Sequence, residues 1–199
     1  MDAVQARTVL DDVEQVRRRA RGDRQATSLP LLTFGVLAAG DAAVRLVLEP
    51  VGGSPFWLLG APAGFALLAR SYRRREADLG VGTRSEAYRS WAIGLLVAAL
   101  VVPVLLLFGA ILALVGLGLG VIAWRQRNAA LGAWAVFVAL WAVGDGTYFL
   151  HNRLFEALRA VGGFGARNGY VEWAGVLVAA TLAVALLTGG LVHRAREGR

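Results

Sequence analysis

The sequence predicts an all-α fold, an integral membrane bundle of six transmembrane helices, on three observations. The 199 residues are 57% hydrophobic and only 18% charged, where an average soluble domain carries roughly 25% charged residues. Mean hydropathy is +0.56, and the apolar residues fall in long runs of about 20, the length that crosses a ~30 Å hydrocarbon core. The 21 basic residues are all arginine, and nearly all lie between those runs.

The first span is 29–48, with Pro30 near its start, where a missing N–H costs little. The second, 55–71, opens on Pro55 and carries Trp57 at the expected interface. The run 91–124 is too long for one comfortable crossing at 1.5 Å per residue. It divides near Phe108–Gly109 into 91–108, weakened by Pro103, and 109–124. Spans 129–150 and 170–193 complete the set. Two amphipathic elements lie outside the spans. Val9, Leu10, Val13 and Val16 mark one face of a helix over 8–19, and Leu154, Phe155, Leu158 and Val161 mark a short interfacial helix. The chain therefore divides into a basic N-terminal segment (1–28), a transmembrane domain (29–193) and a basic tail (194–199).

Arginine placement orients these spans. With both termini cytoplasmic, 17 arginines lie inside, three (Arg153, Arg159, Arg167) lie outside, and Arg45 lies within the first span. A single crossing by 91–124 would reduce the bias to 15 against five, so six spans satisfy the positive-inside rule better. The same rule accounts for the net charge of +7, and no nucleic-acid partner is expected. Arg73, Arg74 and Arg75 fall in an arginine-rich loop suited to anionic headgroups of the lipid bilayer. The helix over 8–19 lies on the membrane or docks a cytoplasmic protein partner.

The absence of cysteine excludes disulfides, thiolate chemistry, iron–sulfur clusters and lipoprotein anchoring. His151 and His193 fall on opposite sides of the membrane, so no metal site is expected, nor any cofactor. Gly53-Ser54-Pro55 lacks the nucleophile-elbow pattern, which sets aside a Ser54–His151 pair. Gly116, Gly118 and Gly120 follow no strand, so they are not a nucleotide loop. With Gly60 and Gly64 they form small-xxx-small spacings for helix packing. Homo-oligomerisation is compatible with those spacings.

Ionisable residues within spans are the candidate functional site. Asp41 and Arg45 are four apart on one helix, so they can pair, with Arg45 expected to snorkel outward. Asp145 ends an aromatic stripe of Trp134, Phe137 and Trp141 and precedes Tyr148, an arrangement that suits either packing or an organic cation. The phrases Ala38-Ala39-Gly40-Asp41 and Ala142-Val143-Gly144-Asp145 sit at one depth. Together with Glu49, His151 and Glu172 they suggest a polar vestibule facing outward.

The opening Ala6-Arg7-Thr8 through Val16-Arg17-Arg18-Arg19, followed by Leu29-Pro30-Leu31-Leu32-Thr33-Phe34-Gly35, resembles small multi-pass membrane proteins of high-GC actinobacteria. The resemblance covers about the first 40 residues and the general architecture. It implies a bacterial plasma-membrane location and carries no catalytic motif. The resulting expectation is a non-enzymatic accessory, structural or regulatory subunit. The second expectation is a small proton- or cation-coupled transporter using Asp41 and Asp145.

Overall fold

The computed structural model describes residues 27–48, 56–79, 85–101, 110–162 and 170–197. Among these residues 96% are helical and none is in a strand. The helices are α1 (Ser28–Leu48), α2 (Phe56–Leu79), α3 (Ser85–Val101), α4 (Ala110–Gln126), α5 (Ala129–Gly146), α6 (Phe149–Gly162) and α7 (Tyr170–Glu197). Three stretches are long and apolar enough to cross a membrane: Ser28–Val47 in α1, Ala129–Gly146 in α5 and Ala174–Glu197 in α7. Their outward faces carry large apolar side chains in the open, such as Val36 (63% exposed), Leu140 (68%) and Val184 (61%). Continuous apolar exposure of this kind belongs in lipid.

The six long helices alternate in direction. α1 and α7 run antiparallel along their length, from Ser28 beside Glu197 to Arg45 beside Gly175. α2 and α3 form a hairpin joined by the Tyr72–Tyr88 stack at 5.0 Å, and α4 and α5 form another. The long apolar run of the sequence is thus two helices. α3 and α4 lie antiparallel, with Trp91 against Gly118 and the Tyr88 hydroxyl accepting from Gln126 Nε2 at 3.4 Å. Phe108–Gly109 and Pro103 lie outside the described residues.

Small residues decide which helices touch most closely. A Cβ added at Gly35 would meet Leu187 N at 3.0 Å, and one at Gly190 would meet Leu32 N at 3.1 Å, so α1 and α7 approach backbone to backbone. Gly116 does the same in the α4–α5 hairpin, 2.8 Å from Ala139 N, and Gly64 lies under Phe34 and Leu37. The spacings at Gly60 and Gly116 therefore serve helix packing, each mainly through one glycine. The pair α1–α7, which carries the longest seam, offers no Gly-xxx-Gly spacing in the sequence.

Several expected boundaries need correction. The span expected over 129–150 ends at Gly146, because Thr147 and Tyr148 form a turn in which Tyr148 takes a left-handed φ of 57°. α6 then starts at Phe149, four residues before Arg153, and folds back so that Leu150 packs over Gly144. α2 and α7 run beyond 71 and 193 to Leu79 and Glu197, since a helix passes an interface without breaking when its polar residues are good helix formers. Arg73, Arg74 and Arg75 therefore sit on α2 rather than in a loop, and residues 194–197 belong to α7. The segment 8–19 lies outside the described residues.

Candidate functional site

Buried positions on α1 follow helical spacing through Leu31, Phe34, Ala38, Asp41 and Ala42. On α5 they are Leu131, Ala135, Val138 and Ala142, and Asp145 is the next position on that stripe. The ionisable residues thus occupy core-facing positions near the ends of apolar faces. Arg45 is bound from three sides. Its Nε donates to Asp41 Oδ2 at 3.1 Å, its Nη2 to Asp145 Oδ2 at 3.1 Å, and its Nη1 reaches the Gly175 carbonyl at 3.5 Å. Side-chain exposure is 9% for Arg45, 3% for Asp41 and 13% for Asp145.

This geometry corrects the expectation that Arg45 snorkels outward. The guanidinium turns inward because one planar fork reaches one oxygen of each of two carboxylates and a carbonyl at once. Asp145, with no base within a turn of its own helix, finds one 100 residues away. The two aspartates do meet, through Arg45.

A second polar cluster closes the other end of the same three helices. Glu197, in the last turn of α7, accepts from Thr27 N at 2.7 Å and Ser28 N at 3.2 Å, and from the Ser28 hydroxyl. A carboxylate there satisfies donors that the first turn of α1 leaves open and opposes its dipole. Asn128 caps α5 by accepting from Leu131 N at 3.0 Å, while its Nδ2 donates to Thr27 Oγ1 at 3.0 Å. Residue n of α1 thus stands level with residue n + 100 or 101 of α5, from Thr27–Asn128 to Arg45–Asp145. These parallel helices and α7 are tied at both ends by polar side chains. Sequence reasoning missed Glu197, Thr27 and Asn128. Asn128 before an apolar run is an N-cap signal, whereas Glu197 has none.

The aromatic stripe serves packing. Trp134–Phe137 and Phe137–Trp141 are each 5.5 Å apart, and the Trp134 ring lies over Gly189 of α7. Large rings fill the space between α5 and the close α1–α7 pair. Tyr148 is half exposed at the α5–α6 turn and Arg73 and Arg74 are exposed at the opposite end of the bundle, on α2. Glu49 and Ser54 lie outside the described residues, as do the side chains of Arg75, His151 and Glu172. Among the described residues no group of three His, Cys, Asp or Glu gathers as a metal site would require. Compared with protein-family models, with curated proteins and with solved structures, the chain has no match.

Proposed function

We propose that the chain is a six-span protein of the bacterial plasma membrane, with both termini cytoplasmic, acting as a non-enzymatic accessory or structural subunit. The observation that carries this reading is the Asp41–Arg45–Asp145 centre, in which the embedded charges join α1, α5 and α7 to one another. Such a tie holds helices that lipid alone gives no reason to associate. Arginine placement supports the orientation. Exposed Arg73, Arg74, Arg89, Arg125, Arg127, Arg194 and Arg196 gather at the end of the bundle that holds the Glu197 clasp. Anionic headgroups attract such residues by about 1 kcal/mol each near the surface, and Trp124, 81% exposed beside Arg125, suits the headgroup layer.

Because the chain lacks cysteine, single substitutions report sidedness cleanly. Arg127→Cys and Arg196→Cys are expected to resist a membrane-impermeant maleimide in intact cells, and Asn152→Cys to react. Labelling of Arg127→Cys alongside Asn152→Cys would defeat the six-span orientation. The partner role is tested with the full chain carrying Val9→Asp and Val13→Asp. Loss of a co-purifying protein supports docking through 8–19, and co-purification of lipid alone from wild type opposes it.

The second reading, a cation-coupled transporter using Asp41 and Asp145, is favoured by the burial of both carboxylates inside the bundle rather than against lipid. Unchanged ion dependence of growth in an Asp41→Asn, Asp145→Asn double variant would remove it.

A further inference from the structure

Among the described residues Asp41 is the one buried charged residue, 2% exposed as a whole. Its Oδ2 accepts from Arg45 Nε. Its Oδ1 is out of contact with solvent and has no hydrogen-bond partner among the described residues. Arg45 is the only cation paired with Asp41 among the described residues, and its charge is divided among Asp41, Asp145 and the Gly175 carbonyl. A buried acceptor without a donor costs about 1–3 kcal/mol, and more when it is charged.

Formal positive charge around Asp41 is scarce, and the neutral donors at its level, the buried indole N–H groups of Trp57 and Trp141, make no hydrogen bond among the described residues. α5 contributes Asp145, which competes for the same guanidinium, and at the level of Asp41 it places Trp141. α2 antiparallels α1, with Gly64 under Phe34 and Leu37 and Phe56 against Gly40, which sets Trp57 at that level too. α7 contributes the Gly175 carbonyl oxygen, which is a further partial negative charge. Two acidic groups and a carbonyl therefore converge on one guanidinium, which leaves Oδ1 of Asp41 without a donor among the described residues.

We infer that this centre binds one small monovalent cation at Oδ1 of Asp41. A divalent ion is disfavoured, because Arg45 repels a double charge more strongly. An alkali ion supplies what is required, a single hard positive charge accepted by a carboxylate oxygen. The inference concerns binding alone. It depends neither on the number of crossings nor on a partner protein, and it stands whether or not the ion is carried across the membrane.

The test uses the full-length protein in detergent, with unfolding followed by tryptophan fluorescence in sodium, potassium or choline chloride at equal ionic strength. Stability rises with alkali-ion concentration by about 1.4 kcal/mol per tenfold above the dissociation constant, and choline has no such effect. Arg45→Gln keeps Asp41 and removes the competing guanidinium, so it is expected to bind at least tenfold more tightly. Asp145→Asn gives Arg45 over to Asp41 and is expected to bind at least tenfold more weakly. Both comparisons rest on concentration dependence and therefore survive a loss of basal stability. The inference is overturned if the three salts act alike. It is equally overturned if Arg45→Gln binds no more tightly than wild type.

Discussion

Replacing Arg45 by methionine removes the cation and keeps most of the side-chain volume. Two carboxylates, with side chains 3% and 13% exposed, then lose their shared partner, and the Gly175 carbonyl loses a donor. Removing one member of a buried ion pair typically costs about 3–5 kcal/mol, and the present centre falls in the upper part of that range because one guanidinium serves two acids. The triple variant Asp41→Leu, Arg45→Met, Asp145→Leu removes every charge of this centre. Apolar replacement of a whole buried cluster is neutral or stabilising by about 1–4 kcal/mol, so the triple variant is expected to equal or exceed wild type. Reversible unfolding in mixed micelles, read by tryptophan fluorescence, measures both variants against wild type. A loss below about 1 kcal/mol in Arg45→Met would show that the centre behaves as a surface pair and would refute the argument from burial.

Three further variants probe the packing. Gly189→Ala drives a methyl group into the Trp134 ring and is expected to cost about 1–3 kcal/mol; combining it with Trp134→Leu is expected to recover most of the loss in the same unfolding assay. Asn128→Ala removes both the α5 cap and the Nδ2 bond to Thr27, for about 1–2 kcal/mol, with faster hydrogen exchange in the first turn of α5. Gly94→Ala meets open space, so helix propensity alone acts and stability is expected to rise by up to about 1 kcal/mol; a decrease would place Gly94 in an interface.

Hydropathy and spacing made much of this fold legible. The all-helical class follows from the apolar runs, and the split of 91–124 follows from length alone. The Asp41–Arg45 pair follows from four-residue spacing. Local signals failed where partners are distant. Nothing near Asp145 announces Arg45, since their contact depends on α1 and α5 running parallel in one register. The Gly35, Gly189 and Gly190 contacts were equally hidden, because a glycine reveals a close approach only once its opposing helix is known. Hydropathy also marks where a chain leaves an apolar layer, which differs from where its helix ends. α2 therefore continues through Arg73 and Arg74 to Leu79, while α5 stops at Gly146 although Tyr148, Phe149 and Leu150 remain apolar.

The clasp among α1, α5 and α7 also has a history during biosynthesis. Arg45 leaves the ribosome 100 residues ahead of Asp145 and 130 ahead of Gly175. At ~5–20 residues per second, that is a wait of about 5–20 s for the first of these partners. During the wait the acids near Arg45 in sequence are Asp41 and Glu49, each four residues away, and Asp41 shares its helix and pairs with it. The local pair lets the first helix enter the bilayer as a nearly neutral rod. The arrival of α5 and α7 then turns that temporary companion into one arm of a permanent joint, so Asp41 serves first in insertion and afterwards in assembly.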